Sequence, residues 1–184
     1  MHDVGELLRR AREGDRTAID QLVAQLYPDL RRMARAKLAQ NATITLLDTT
    51  SILHEAYMRL RQASGIQATS RGEFMAYASQ AMRSVIVDFA RQRLALRRGG
   101  AAAHVVLSTD LIDGHRGGDD DVIRVHEALE ALEQSDPRMK RVIEMRYFGG
   151  FTEAEIAGSL GIAARTVRRD WERARLLLQV ALKR

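Results

Sequence analysis

Cysteine is absent from the 184-residue sequence, which excludes disulfides, thiolate metal sites and thiol redox chemistry. Proline occurs twice and aromatic residues supply only 5% of the chain, too little for a turn-rich β protein. With Ala, Leu and Arg abundant, the expectation is an all-α fold. No apolar run approaches the roughly 20 residues that a bilayer span needs. The N-terminus is polar and amphipathic rather than a signal peptide, so the sequence predicts a cytoplasmic protein without a membrane partner. No Gly-rich loop with a following Lys is present, and no nucleophile–base constellation. His2, His54, His104, His115 and His126 are scattered singly. These absences point away from an enzyme and imply neither cofactor nor metal. Acid is in deficit: the net charge is +5, which suits a polyanionic partner without choosing between nucleic acid and an acidic membrane.

What is present is clearest at residues 151–175. Thr152 and Glu155 have capping-box spacing, followed by an apolar stripe of Ile156, Ala157 and Leu160. Gly161 allows a tight turn, and Ile162 points to the core. Val167, Trp171 and Ala174 then recur at i, i+4 and i+7, while Arg165, Thr166, Arg168, Arg169, Arg173 and Arg175 occupy the other faces. Two short helices at a glycine turn, the second basic, read as a helix-turn-helix with its recognition helix last. The plainer alternative is an αα-hairpin with a solvated basic face.

Upstream, Asp3 can cap a helix carrying Val4, Leu7, Leu8 and Ala11, and Gly14-Asp15 interrupts it. A second stripe runs from Ala18 to Tyr27, and Pro28 either kinks that helix or opens the next, which Leu30, Met33, Ala34 and Leu38 continue. A third helix is predicted over Thr49–Gln62, a loop over residues 63–72, and a long fourth helix over Gly72–Arg98. The fourth begins with Phe74 and Tyr77 and becomes basic through Arg83, Arg91, Arg93 and Arg97. Paired glycines bracket residues 99–121, read as a flexible linker, and Asp119, Asp120 and Asp121 suit a helix N-terminus. Val122, Val125, His126, Leu129 and Leu132 mark the next helix. Asp136-Pro137 starts another that buries Val142, Ile143 and Tyr147 before Gly149-Gly150. The expected organisation is a four-helix domain at 3–98, the linker at 99–121 and a second helical domain at 122–184.

This order of parts resembles the extracytoplasmic-function sigma factors of bacterial RNA polymerase over nearly the whole chain. Residues 151–175 look like region 4.2, Phe74–Arg98 like regions 2.3 and 2.4, and Leu47–Leu60 like region 2.2. The resemblance implies an alternative sigma factor, monomeric in the holoenzyme, that binds core RNA polymerase and directs promoter recognition. Residues 3–98 would dock on the β′ clamp helices and open and read the −10 element; residues 122–184 would read the −35 element and contact the β flap. Arg165, Thr166, Arg168, Arg169 and Arg173 would meet duplex promoter DNA through phosphates or guanine edges. Residues 63–72 would pocket a flipped base, and Arg83, Arg91, Arg93 and Arg97 would track the displaced single strand. Phe74 and Tyr77 are placed either to stack on bases or to fill the core. Two positions depart from the family: Ala163 stands where a Ser cap is common, and Asp170 where a basic residue is frequent. Asp170 can pair with Arg173, three residues on.

The polymerase-docking patch departs further. Most relatives carry Asp-Ala-Glu-Asp-Leu-Val-Gln-Glu there; here Asp48, Thr49, Thr50, Ser51, Ile52, Leu53, His54 and Glu55 take those positions, with Arg59 following. Two acids have become hydroxyls, which weakens a charge-steered interface. A phosphate on Thr50, or behind it Thr49 or Ser51, would return about −1.5 to −2 charge at a helix N-terminus. The expectation is therefore activation by a Ser/Thr kinase, as in a sigma-factor group associated with such kinases. The alternative is that the hydroxyls merely cap the third helix. A stand-alone helix-turn-helix regulator is the rival function, and a kinase-dependent adaptor a third.

Overall fold

A computed structural model of the chain describes residues 3–40, 48–63, 66–99, 119–148 and 150–182. Among them are eight α-helices and no strand, so the all-α expectation holds. Helix α1 (Val4–Arg12) starts where the Asp3 carboxylate accepts the Gly5 amide at 3.2 Å, and it buries Leu7, Leu8 and Ala11. Gly14 turns the chain at φ +88°, a backbone conformation open to glycine. Asp15 then caps α2 (Arg16–Gln40) by accepting the Thr17 amide at 2.8 Å. Helix α2 continues through Pro28 as one element, so the proline does not open a new helix. Leu22 and Leu26 before the proline and Leu30 and Met33 after it are all buried, and this continuous packing offsets the lost backbone bond.

Helix α3 (Thr49–Gln62) and helix α4 (Arg71–Gly99) complete the first group. The boundaries match the sequence reading to within a residue. The stretch before α4 is more tied down than loop composition suggests: Ile66 and Ala68 are buried. The Thr69 amide and hydroxyl both donate to Glu73 at 2.7 Å, and Ser70 Oγ accepts the Glu73 amide at 3.2 Å, a reciprocal cap at the start of α4.

Helix α5 (Asp119–Ser135) begins three residues earlier than the expected second domain, because Asp119 is already buried against Arg93 of α4 at 3.4 Å. Residues 100–118 of the expected linker lie outside the described residues. Helix α6 (Pro137–Ile143) has Asp136 as its N-cap, accepting the Met139 amide at 3.0 Å, with Pro137 at the first helical position. It widens into a π-helical turn at Glu144–Phe148, closed by the Phe151 amide donating to the Met145 carbonyl at 3.0 Å. Helices α7 (Glu153–Leu160) and α8 (Ala164–Leu182) follow.

The first core gathers apolar side chains of α1 to α4 and extends to Val122 of α5, with Phe151 packed against it. Leu129, Met139, Ile143 and Ala174 form a second cluster, and Val142, Met145, Ile156 and Val167 a third, to which Ala76 of α4 contributes. Helix α4 is thus shared: one face closes the first core and another carries α5, the π turn and α7.

Candidate nucleic-acid and polymerase interfaces

The helix-turn-helix forms as its spacing predicts. Thr152 Oγ1 accepts the Glu155 amide at 3.3 Å while Glu155 accepts the Thr152 amide at 2.8 Å, closing the capping box. Gly161 adopts φ +63° between the helices. Val167 and Ala174 are fully buried on the inner face of α8, and Trp171 is half-buried, stacked on Tyr147 with ring centroids 6.5 Å apart. The Arg146 guanidinium lies 5.2 Å from the Trp171 ring, a cation–π contact that joins the π turn to the recognition helix. Arg165, Arg168, Arg169 and Arg173 are exposed on α8, and Thr166 is half-buried with its amide on the Ala163 carbonyl at 2.8 Å. Arg168 reaches Glu153 of α7 at 3.1 Å, and Glu153 also holds Arg146 at 2.9 Å. The two arginines, Arg168 first, keep the Glu153 carboxyl below the usual carboxylate range.

Asp170 pairs elsewhere than expected. It is fully buried and accepts from Arg138 of α6 at 2.7 Å, with Arg169 at 3.6 Å. The Arg173 pairing is thereby replaced by a tie between recognition helix and α6. An acid at this position holds the helix in place because α6 presents a cation to its inner side.

The four arginines expected to form the single-strand track divide. Arg91 is exposed beside Asp88 at 3.8 Å. Arg93 is half-buried against Asp119. Arg97 lies in α4, its side chain outside the described residues. Arg83 is only 3% exposed: its Nε donates to Glu144 at 2.7 Å, Nη2 reaches Glu130 at 3.1 Å, and His126 Nδ1 is its third neighbour. Ser79, one turn earlier, donates from Oγ to the Glu144 carbonyl at 3.2 Å. Lys140 joins the network through Glu133 at 2.6 Å and Glu130 at 3.3 Å. Burial raises the Glu130 carboxyl, but Arg83 and Lys140 outweigh it and hold the group below its ordinary range. Burial, helped by Arg83, pushes His126 down. Lys37 of α2 sits beside the same cluster, and complete burial pushes its ammonium down to about 7. Phe74 is fully buried, so it fills the core; Tyr77, 37% exposed, remains available at the surface.

At the docking patch the cap of α3 is Asp48 itself, not a hydroxyl. Its carboxylate accepts the Thr50 amide at 2.7 Å and the Ser51 amide at 2.9 Å, and these amides, Ser51 first, hold it below its usual range. Ser51 Oγ is also taken, donating to Asp48 at 3.2 Å. Thr50 is exposed and Thr49 half-buried. His54 and Glu55 are exposed, whereas Arg59 is held by Asp88 of α4 at 2.7 Å. Beside the patch, α2, α3 and α4 enclose an apolar groove of about 350 Å³, with Tyr27, Thr50, Leu53, His54 and Tyr57 on its walls. Tyr57 is fixed by donating to Asp20 at 2.8 Å.

The sequence reading missed the acids that meet these cations: Asp119, Glu130, Glu144 and Glu153. One signal was present. Glu144 interrupts the stripe of Val142, Ile143 and Met145, all buried, and a carboxylate in such a stripe calls for a cation opposite.

A family model described as "ECF sigma factor" matches residues 1–184, the entire chain. No curated protein matches the chain.

Proposed function

Since the chain belongs to the ECF sigma factor family, whose activity is promoter recognition with RNA polymerase in transcription initiation, we propose that it acts through two surfaces and is switched at one of them. The exposed arginines of α8 face the −35 element, and α4 with its basic end serves the −10 element. The Asp48–Arg59 surface of α3 docks on the β′ clamp helices of core polymerase, and the last helices contact the β flap. Residues 3–98 and 122–184 work as the two functional units.

The observation that carries the switch is the N-terminus of α3. Asp48 already caps it, so the three hydroxyls are surplus to capping. They occupy the first three helical positions, where the helix dipole favours an anion. Geometry ranks them. A phosphate on Ser51 would face the Asp48 carboxylate that its hydroxyl now contacts, and Thr49 is half-buried. Thr50 is exposed at the rim of the apolar groove, where a phosphate would return the charge that relatives carry as acids. A Ser/Thr kinase is the partner this implies.

Binding to core polymerase is measured for the unmodified protein, the kinase-treated protein and kinase-treated Thr50→Ala. Phosphorylated wild type is expected to bind about tenfold or more tighter than either of the others, the equivalent of about 1.4 kcal/mol from a restored interfacial charge. Equal, tight binding of all three would remove the switch and leave the sigma activity under other control.

A further inference from the structure

Glu153, the first residue of α7, sets an acid beside the basic face of the recognition helix, where a lone carboxylate would repel a polyanion. It is not alone. Oε1 accepts from Arg146 Nη1 at 2.9 Å, and Oε2 from Arg168 Nη2 at 3.1 Å and Nε at 3.3 Å. Arg146 is held in turn by its cation–π contact, 5.2 Å from the Trp171 ring. Two guanidiniums around one carboxylate leave the group net positive, so it still suits DNA.

The bonds fall on one side of the Arg168 guanidinium. Nε and Nη2 meet Glu153, which leaves the end-on pair, Nη1 with the second Nη2 hydrogen, for another acceptor. A pair of N–H groups of this kind donates to guanine O6 and N7. Among the described residues Arg165 and Arg173 have no such brace, and Arg169 only approaches Asp170 at 3.6 Å. An unbraced arginine keeps its rotamer freedom until it binds, and follows a phosphate wherever one lies. A braced one has given up that freedom beforehand and demands its acceptor at one place.

We propose that Glu153 is a specificity-determining residue for −35 recognition: it positions Arg168 to read a guanine, while Arg165, Arg169 and Arg173 hold phosphates. This rests on the reading of α8 as the −35 helix. Glu153 touches no base itself; it acts through Arg168, and Arg146 keeps it in place. Loss of the brace therefore removes discrimination at one base pair more than it weakens binding overall.

Initiation is measured with holoenzyme reconstituted from core polymerase and saturating protein, on a promoter it serves and on every single-base substitution across the −35 element. Wild type should lose about tenfold or more at one G·C pair, the scale of a good bidentate contact. Arg168→Ala should abolish that preference and no other. Glu153→Gln, which keeps the shape and removes the charge, should reduce the same penalty to about twofold or less with the circular dichroism spectrum unchanged. The double variant should discriminate no worse than Arg168→Ala, the coupling expected of two residues that act as one unit. Salt separates the roles. Alanine at Arg165, Arg169 or Arg173 should weaken all sequences alike and reduce the slope of log affinity against log salt by about 1, whereas Glu153→Gln should not reduce it. A Glu153→Gln holoenzyme that discriminates like wild type, or loses a preference that Arg168→Ala keeps, would overturn the inference. So would tighter binding to the intact promoter, which would make Glu153 a competitor for Arg168; in each of these cases the sigma reading stands. A wild type that initiates regardless of the −35 sequence would refute the reading of α8, and the inference with it.

Discussion

Phe74→Ala is expected to lower the unfolding free energy by about 3–5 kcal/mol, the cost of a large cavity in a close-packed core. The sequence left this ring two roles, stacking on promoter bases or filling the interior, and its zero exposure within the α1–α4 cluster assigns the second. Tyr77, three residues on and 37% exposed, is the contrasting case. Tyr77→Ala should change stability by less than about 1 kcal/mol, as surface substitutions do, and should impair promoter opening with the fold intact. Urea unfolding of both variants, with potassium permanganate footprinting of the −10 region in the holoenzyme, separates the two roles. A Phe74→Ala protein as stable as wild type would show that the ring is not part of the core.

The second large effect lies on α8. Arg168 and Arg169 have side chains 67% and 62% exposed; the Arg168–Glu153 contact is a surface pair worth little in stability, and buried Asp170, 3.6 Å from Arg169, keeps its 2.7 Å bond from Arg138 when Arg169 is lost. The double substitution Arg168→Ala/Arg169→Ala is therefore expected to leave the melting temperature nearly unchanged. Each arginine that pairs with a base or phosphate contributes about 1–3 kcal/mol to recognition, so initiation should fall by about 100-fold or more when both are lost. Run-off assays on promoters with an intact and with a scrambled −35 element provide the check. The intact promoter should drop to the level of the scrambled one, while binding to core polymerase is retained. A variant that initiates as well as wild type on the intact promoter would move −35 recognition off this helix.

Much of this architecture was legible because its signals are local. Asp3, Asp136 and Thr152 with Glu155 announce helix starts within four residues, and each caps in the structure. The 3.6-residue stripes place α2, α3 and α4 to within a residue or two. Pro28 was ambiguous between a kink and a new helix because its local effect does not reveal that Leu22, Leu26, Leu30 and Met33 pack on both sides of it, within one helix. The contacts around Arg83 were not legible for a different reason. Helix α4 buries two faces, so a charged residue at position 83 looks solvent-facing until α5 and the π turn are laid over it. Its partner Glu144 is 61 residues away, and no periodicity links them. Helical spacing allows Asp170 to pair with Arg173, whereas the structure pairs its buried carboxylate with Arg138 of α6. Local rules rank neighbours on one helix; they do not see the helix that packs across it.

The central claim is that this chain confers promoter recognition on core RNA polymerase. It is tested most directly by run-off transcription with purified core enzyme, adding the chain unmodified and after kinase treatment. The expected result is a discrete, start-site-specific transcript that core enzyme alone does not produce, greatest with the phosphorylated protein, while the chain alone binds the promoter weakly. A chain that footprints a palindromic site tightly by itself and adds no initiation to core enzyme in either form would contradict it, and would make this a stand-alone DNA-binding regulator.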